Sequence, residues 1–261
     1  MPAGYTHFQF SEDVIKHLTD QNIKKLIKKN KQLFQIGTHG PDIFFYHHSY
    51  NFHDQVNNLG KKMHNENARD FFEKARDIID DDAKLTYILG FLCHFLLDSQ
   101  MHFYVRKIVK ETDMSHFEVE AEYDRYLLKR KGLNPVFCYI YSHIHDDEHI
   151  ICTIQSFFPK LSYLQIQNSL KSMKLADKIL RAPSYLKRGL LYCLFHLSFH
   201  FKQLQGLVIN YHHNIKMENY YSLLDKIYQD ALHETIDYIT LYCNDLKKKD
   251  VLPKRFDRTY K

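Results

Sequence analysis

Tryptophan is missing from this 261-residue chain, and glycine (8) and proline (6) are scarce. So little turn punctuation excludes a fold of many short strands and favours long helices. The five cysteines, Cys93, Cys138, Cys152, Cys193 and Cys243, contain no CxxC pair and no even framework, which excludes a disulfide scaffold. Most lie in apolar helical runs and read as small buried side chains. No apolar run free of charged or polar groups reaches the length of a membrane span. The amino-terminal MPAGYTHFQF lacks the basic and apolar regions of a signal peptide, so a cytoplasmic location is expected. The net charge of +5 comes without a basic tail. Its densest cluster, Lys24, Lys25, Lys28, Lys29 and Lys31, reads as the solvated face of an early helix.

What the chain does have is a 44% hydrophobic content, ample for a core, and 18 histidines. The organising stretch is 86–105, TYILGFLCHFLLDSQMHFYV. It is nearly all apolar, yet His94, Asp98 and His102 recur every fourth residue and so form one stripe on a helix. Apolar side chains fill the other directions, so the helix should be buried on nearly every side. A buried Asp between two His is costly unless something positive satisfies it, and a metal ion does so with standard ligands. In the next helix Ser115 and Glu118 form a capping-box pattern, and His116 and Glu120 lie one turn apart on a shared face. For any one of these histidines, a core imidazole bonded to a carboxylate is the plain reading. Two consecutive helices that each pair His with carboxylate point to metal.

The rest of the chain reads as helices at 11–29, 65–80, 146–157, 162–180, 183–205 and 217–246, with a frayed polar tail from Lys247. One all-helical domain, 1–261, is expected, with a metal-binding half at 1–131 and additional helices at 132–261. Asp42 follows the turn at Gly40-Pro41 and heads an apolar run. It suits a ligand or a turn cap equally. His64, at the start of the 65–80 helix, is preferred as a ligand over His53 in its looser Asn-rich stretch. Pro2 would carry a free amine if Met1 is removed, five residues before His7. His196 and His200 read as structural. His212, His213 and His233 read as surface or boundary residues.

Taken in order, these residues resemble the zinc-dependent phospholipase C family. That all-helical family includes glycosylphosphatidylinositol-specific phospholipase D, and its fold is similar to that of the single-strand-specific zinc nucleases. The resemblance covers the amino-terminal half motif by motif and the remainder by helical character. It implies a compact multi-helix bundle and a cluster of two or three zinc ions. One ion would take Asp42, His64, His94 and Asp98. A second would take the Pro2 terminus and His7, sharing Asp98. A third would take His102, His116 and Glu120. The implied reaction is phosphodiester hydrolysis, with Asp98 bridging the ions that activate water and Asp42 able to accept its proton. A phosphodiester substrate is expected, phospholipid among the candidates, with transient contact to a membrane surface and no stable nucleic-acid partner. The chain departs from the family's secreted members in having no Trp, and no leader that would expose the terminus is expected from its first residues.

Two other enzyme readings and one non-enzyme reading compete with this. A helical HD phosphohydrolase could use His53-Asp54 or His145-Asp146, although both dipeptides sit in loop-like sequence. A zinc nuclease would need a stacking platform and a basic approach. A helical binding protein could hold the metal for stability alone.

Overall fold

The computed structural model describes residues 4–49, 54–246 and 250–261. These form helices and connecting loops, with no strand among the described residues beyond an isolated bridge between Asn67 and Thr259. The all-α expectation holds.

The core helix is longer than the apolar stretch that announces it. It runs Asp82–Thr112 (α6), starting where the Asp81 carboxylate caps the Lys84 amide and ending at Asp113 in the left-handed region. Every residue from Thr86 to Asp98 on it is buried. Around it pack Gly4–His17 (α1), Lys31–Gly37 (α3), His116–Arg130 (α7), Glu148–Phe157 (α8) and Tyr221–Asp245 (α12). Helix α3 crosses very close: a methyl group on Gly90 would lie 2.1 Å from the Phe34 carbonyl oxygen, so no larger residue fits there without moving the helices apart.

Where helices begin and end differs from the sequence reading in ways that matter for the site. The expected 11–29 helix is two helices, α1 and Gln21–Lys29 (α2). Asp20 caps the second through the amides of Asn22 and Ile23. Lys24 Nζ donates to the carbonyls of Lys16 and Leu18, which the end of α1 leaves open. Helix α1 starts well before Ser11, whose hydroxyl bonds the Phe8 carbonyl instead of capping. His7 is therefore a helical residue. The expected 65–80 helix is shorter, Arg69–Ile78 (α5), and a separate helix that the sequence reading did not expect, Gln55–Asn65 (α4), precedes it. Asp54 caps α4, so His64 lies near the end of one helix and not at the start of the next.

The tail is a further correction. Residues 247–249 lie outside the described part, but from Leu252 the chain is packed. Leu252, Phe256 and Tyr260 are buried, and the Arg258 carbonyl accepts from Ala68 in the break between α4 and α5. Arg255 bonds Glu234, Ser99 and the Leu96 carbonyl. In the carboxy-terminal half, Tyr163–Leu180 (α9) carries the capping box read from Ser162 and Gln165. The expected 183–205 helix stops at Leu197 (Tyr185–Leu197, α10), followed by Phe199 at a φ of 59° and the short Phe201–Leu204 (α11). Only Cys93 is fully buried. Cys152 and Cys193 are exposed, contrary to their reading as core residues.

Candidate metal centre

Three elements converge on α6. Gly40–Tyr46, a 3-10 helix entered through Pro41, brings in Asp42. Its first residue has a φ of 48°, and a methyl group there would fall 2.4 Å from the His94 ring, so only glycine lets the turn lie against that imidazole. Helix α4 brings in His64, and α1 brings in His7. All three side chains, with His94 and Asp98, are buried.

Asp98 is the common neighbour. Its carboxylate oxygens lie 3.3 Å from His7 Nε2, 3.4 Å from His94 Nε2, 3.6 Å from His64 Nε2 and 3.6 Å from His102 Nδ1. Asp42 Oδ1 is 3.0 Å from His64 Nε2 and 3.9 Å from His94 Nε2, and Asp42 Oδ2 is 3.9 Å from His7 Nε2. Asp42, His64, His94 and Asp98 each place one donor atom within 4.8 Å of the other three. A second group meets the same condition: His102 and His116, their rings stacked 5.6 Å apart, with Glu120 Oε1 2.8 Å from His116 Nε2. His116 is about one-third exposed (35%), so this group opens toward solvent, while the side chains of the first are buried.

The buried polar atoms at the first group test whether a cation fits. Both Asp98 oxygens and the Nε2 atoms of His7 and His94 make no hydrogen bond among the described residues, and Asp42 Oδ1 and His64 Nε2 have only each other, 3.0 Å apart. Leaving so many buried donors and acceptors unsatisfied is costly. Yet they face one another at the distances above, as ligands around a shared cation would.

Tautomers point the same way. His94 Nδ1 lies 3.2 Å from the Thr38 carbonyl, His64 Nδ1 2.8 Å from that of Gly60, and His102 Nδ1 3.0 Å from that of Tyr260. A carbonyl only accepts, so each Nδ1 carries the hydrogen and each Nε2 presents its lone pair when neutral.

Charges without a metal are balanced by protons. Burial holds the His94 imidazole well below its ordinary value and lowers His102 to about 4. Burial pushes Asp98 upward, but His94, His102, His64 and His7 around it outweigh this and hold it well below the carboxylate range. His64 goes the other way. Burial opposes its charge, yet Asp42 and Asp98 raise it to about 10, while burial raises Asp42. Both shifts keep one proton on the His64–Asp42 contact.

Of the residues expected at the site, Asp42, His64, His94 and Asp98 are brought together, with His7 at their edge. His102, His116 and Glu120 form the neighbouring group. Pro2 and His53 lie outside the described residues. Asp54 and the His145-Asp146 dipeptide do not join them. Asp54 is occupied by the α4 amide of Asn57 and by His47 Nδ1 at 2.9 Å, with His48 Nδ1 at 3.5 Å. His145 is exposed, and Asp146 pairs with Lys174.

Sequence reading passed over several supporting residues. Asp124 accepts from the amides of Tyr5 (2.9 Å) and Thr6 (2.7 Å) and from the Thr6 hydroxyl (2.6 Å), which anchors the first turn of α1 and hence His7. Burial pushes its carboxyl up to about 7. The signal was present: His116, Glu120 and Asp124 continue one stripe of α7. His39 and His143 meet at 2.8 Å through Nε2, and burial keeps both imidazoles neutral. That pair packs behind His7, whose ring centre is 6.0 Å from that of His39.

A cleft of about 130 Å³ opens beside both groups, lined by Asp42, Glu120, Asp124, Tyr46, Tyr141 and Asp177 among others. The Tyr46 and Tyr141 hydroxyls bond at 2.7 Å. No lysine or arginine is among its described lining residues. No helix among the described residues is long and apolar enough to cross a membrane.

No curated protein and no solved structure matches the chain. Residues 6–176 match the family described as zinc dependent phospholipase C, a span that contains every clustered His, Asp and Glu above. With that match over most of its length, the chain belongs to the zinc-dependent phospholipase C family.

Proposed function

We propose that this chain hydrolyses phosphodiesters, phospholipids among them, with zinc held by two side-chain groups: Asp42, His64, His94 and Asp98, with His7 beside them, and His102, His116 and Glu120. The observation that carries the reading is the set of unsatisfied buried atoms around Asp98, which a divalent cation would satisfy at once. Zinc bound there would lower the pKa of a coordinated water and neutralise charge on the phosphoryl oxygens.

The chain's own residues supply the rest. Asp98 faces imidazoles from three helices, so it would serve as a ligand shared between ions if more than one is bound. The carbonyls of Thr38, Gly60 and Tyr260 hold three imidazoles in the tautomer that presents Nε2. Asp42 lines the cleft as well as the first group, which supports a role for it in accepting a proton from water there. Tyr46, Tyr141 and Phe117 wall the cleft. Without a lysine or arginine in that lining, the cleft offers no basic track for a nucleic-acid backbone, which favours a small or lipid phosphodiester over a nuclease substrate.

Hydrolysis of bis(p-nitrophenyl) phosphate tests this. The zinc-loaded protein should release nitrophenolate, lose at least about 10²-fold in rate on chelation and recover it with added zinc. A folded, fully metallated protein with no activity would instead favour metal held for stability alone.

A further inference from the structure

Helix α10 is apolar on the wrong side. Of its residues only Arg188 and Leu191 are buried. Leu186, Leu190, Leu194 and Leu197 recur at helical spacing along the outer face, with Leu186 77% and Leu197 74% exposed. Tyr185 precedes them and Phe199, 95% exposed, follows at a backbone turn with a φ of 59°. An unbroken apolar stripe with aromatics at both ends is more than scattered surface leucine and marks an interaction surface.

Two further observations say what covers it. Between Asp177 and Glu218 there is no acidic residue, whereas Lys178, Arg181, Lys187, Arg188, Lys202 and Lys216 are cationic, Lys202 being paired with Asp113 from the end of α6. Lys187 and Arg188 turn inward and bond the carbonyls of Lys178, Arg181, Ala182 and Ile209, so the apolar stripe is left free of charge while the segment as a whole stays positive. The segment is also an excursion from the cleft wall. Leu180 lines the cleft just before it, and Gly206 and Leu207 line it just after. An apolar face on a positive segment beside a phosphodiester cleft matches an anionic lipid surface, which takes leucine and aromatic rings at the acyl boundary and attracts cations at the headgroups.

We infer that α10, from Tyr185 to Phe199, docks the protein on an anionic phospholipid surface and so brings the cleft to its substrate. This rests on the phosphodiesterase reading for the identity of the substrate, though not for the docking. The segment lies beyond the residues that match the family, so docking belongs to this chain's own carboxy-terminal part.

Vesicle sedimentation tests it, with phosphatidylcholine containing about one-third phosphatidylserine compared with phosphatidylcholine alone. The wild-type chain should bind the anionic vesicles, more weakly as salt rises. Leu190→Glu/Leu194→Glu, at two exposed positions, should lower the partition coefficient at least about tenfold. The same variant should keep its rate on soluble bis(p-nitrophenyl) phosphate. The inference is overturned if wild type ignores anionic vesicles or if the variant binds them equally. It is also overturned if light scattering shows a wild-type dimer that the variant splits while neither form binds vesicles, because a second copy then covers the face. Vesicle binding lost in the variant, from a zinc-loaded protein inert toward the soluble diester, would uphold the docking and sink the hydrolase reading.

Discussion

Asp98→Asn should leave a folded protein that no longer holds zinc at the buried group. The substitution keeps the volume of the side chain, so far-UV circular dichroism should not change. The amide cannot replace a carboxylate that faces four imidazoles. Changing residues that merely support a ligand costs about 10- to 100-fold in metal affinity, so losing this carboxylate should cost at least about 10²-fold. Hydrolysis of the soluble diester should fall by about 10³-fold or more, because the charge stabilising the transition state leaves with the metal. Asp54→Asn is the matched control. Its side chain caps α4, a role that Asn also fills, so zinc content and rate should stay near wild type. Zinc lost from the Asp54 variant and kept in the Asp98 variant would reverse the assignment in favour of an HD-type centre.

Zinc binding should expel a proton, and affinity should climb with pH. His64 is raised to about 10 in the metal-free protein by Asp42 and Asp98, against the opposing effect of burial. A raised imidazole stabilises the metal-free fold fully below its unfolded value near 6.5 and loses that contribution as pH rises through about 10. As a ligand, His64 must be neutral, so its proton competes with the ion through that window. Between pH 6.5 and 8, affinity should therefore rise by about tenfold per pH unit, and the stabilisation by zinc by about 1.4 kcal/mol per unit. His94 and His102 are lowered, His102 to about 4, so they stay neutral across this range and add no slope. Calorimetry in two buffers of different ionisation heat should report about one proton released per ion bound at the Asp98 group at pH 7. Heats that do not depend on buffer, with an affinity flat from pH 6.5 to 8, would show that no proton occupies the site.

Side chains at helical spacing were legible in the sequence; what positions them was only partly so. His94, Asp98 and His102 announce themselves because each is polar in an otherwise apolar helix at one-turn spacing. Ser115 with Glu118, and Ser162 with Gln165, mark helix starts through contacts only three residues apart, and both boxes are present. Helix α1 defeated the same reasoning because its first turn is held by Asp124, more than a hundred residues away. His64 was placed at a helix start because the cap at Asp54 lies in polar sequence that reads as loop. The carbonyls that orient the imidazoles leave no mark at all, since every residue has one. Tyr260 is the clearest case: it sits in a tail whose composition reads as frayed, yet its carbonyl fixes His102.

The same pattern separates the readings that remain. The apolar face of α10 follows helical spacing as faithfully as any core helix, so sequence periodicity alone marks it as buried. Only the packing shows that nothing among the described residues covers it. At the cleft the reverse holds. Asp177 and Tyr141 come from segments with no metal-ligand pattern, and proximity in the fold brings them to the cleft that Asp42 and Glu120 also line.

Anomalous diffraction at the zinc edge, from crystals grown with zinc, tests the central claim most directly. The account predicts one strong peak enclosed by Asp42, His64, His94 and Asp98 and another beside His102, His116 and Glu120. Zinc found only at exposed histidines, or only at the His47, His48 and Asp54 cluster, with the Asp98 group empty, would contradict it.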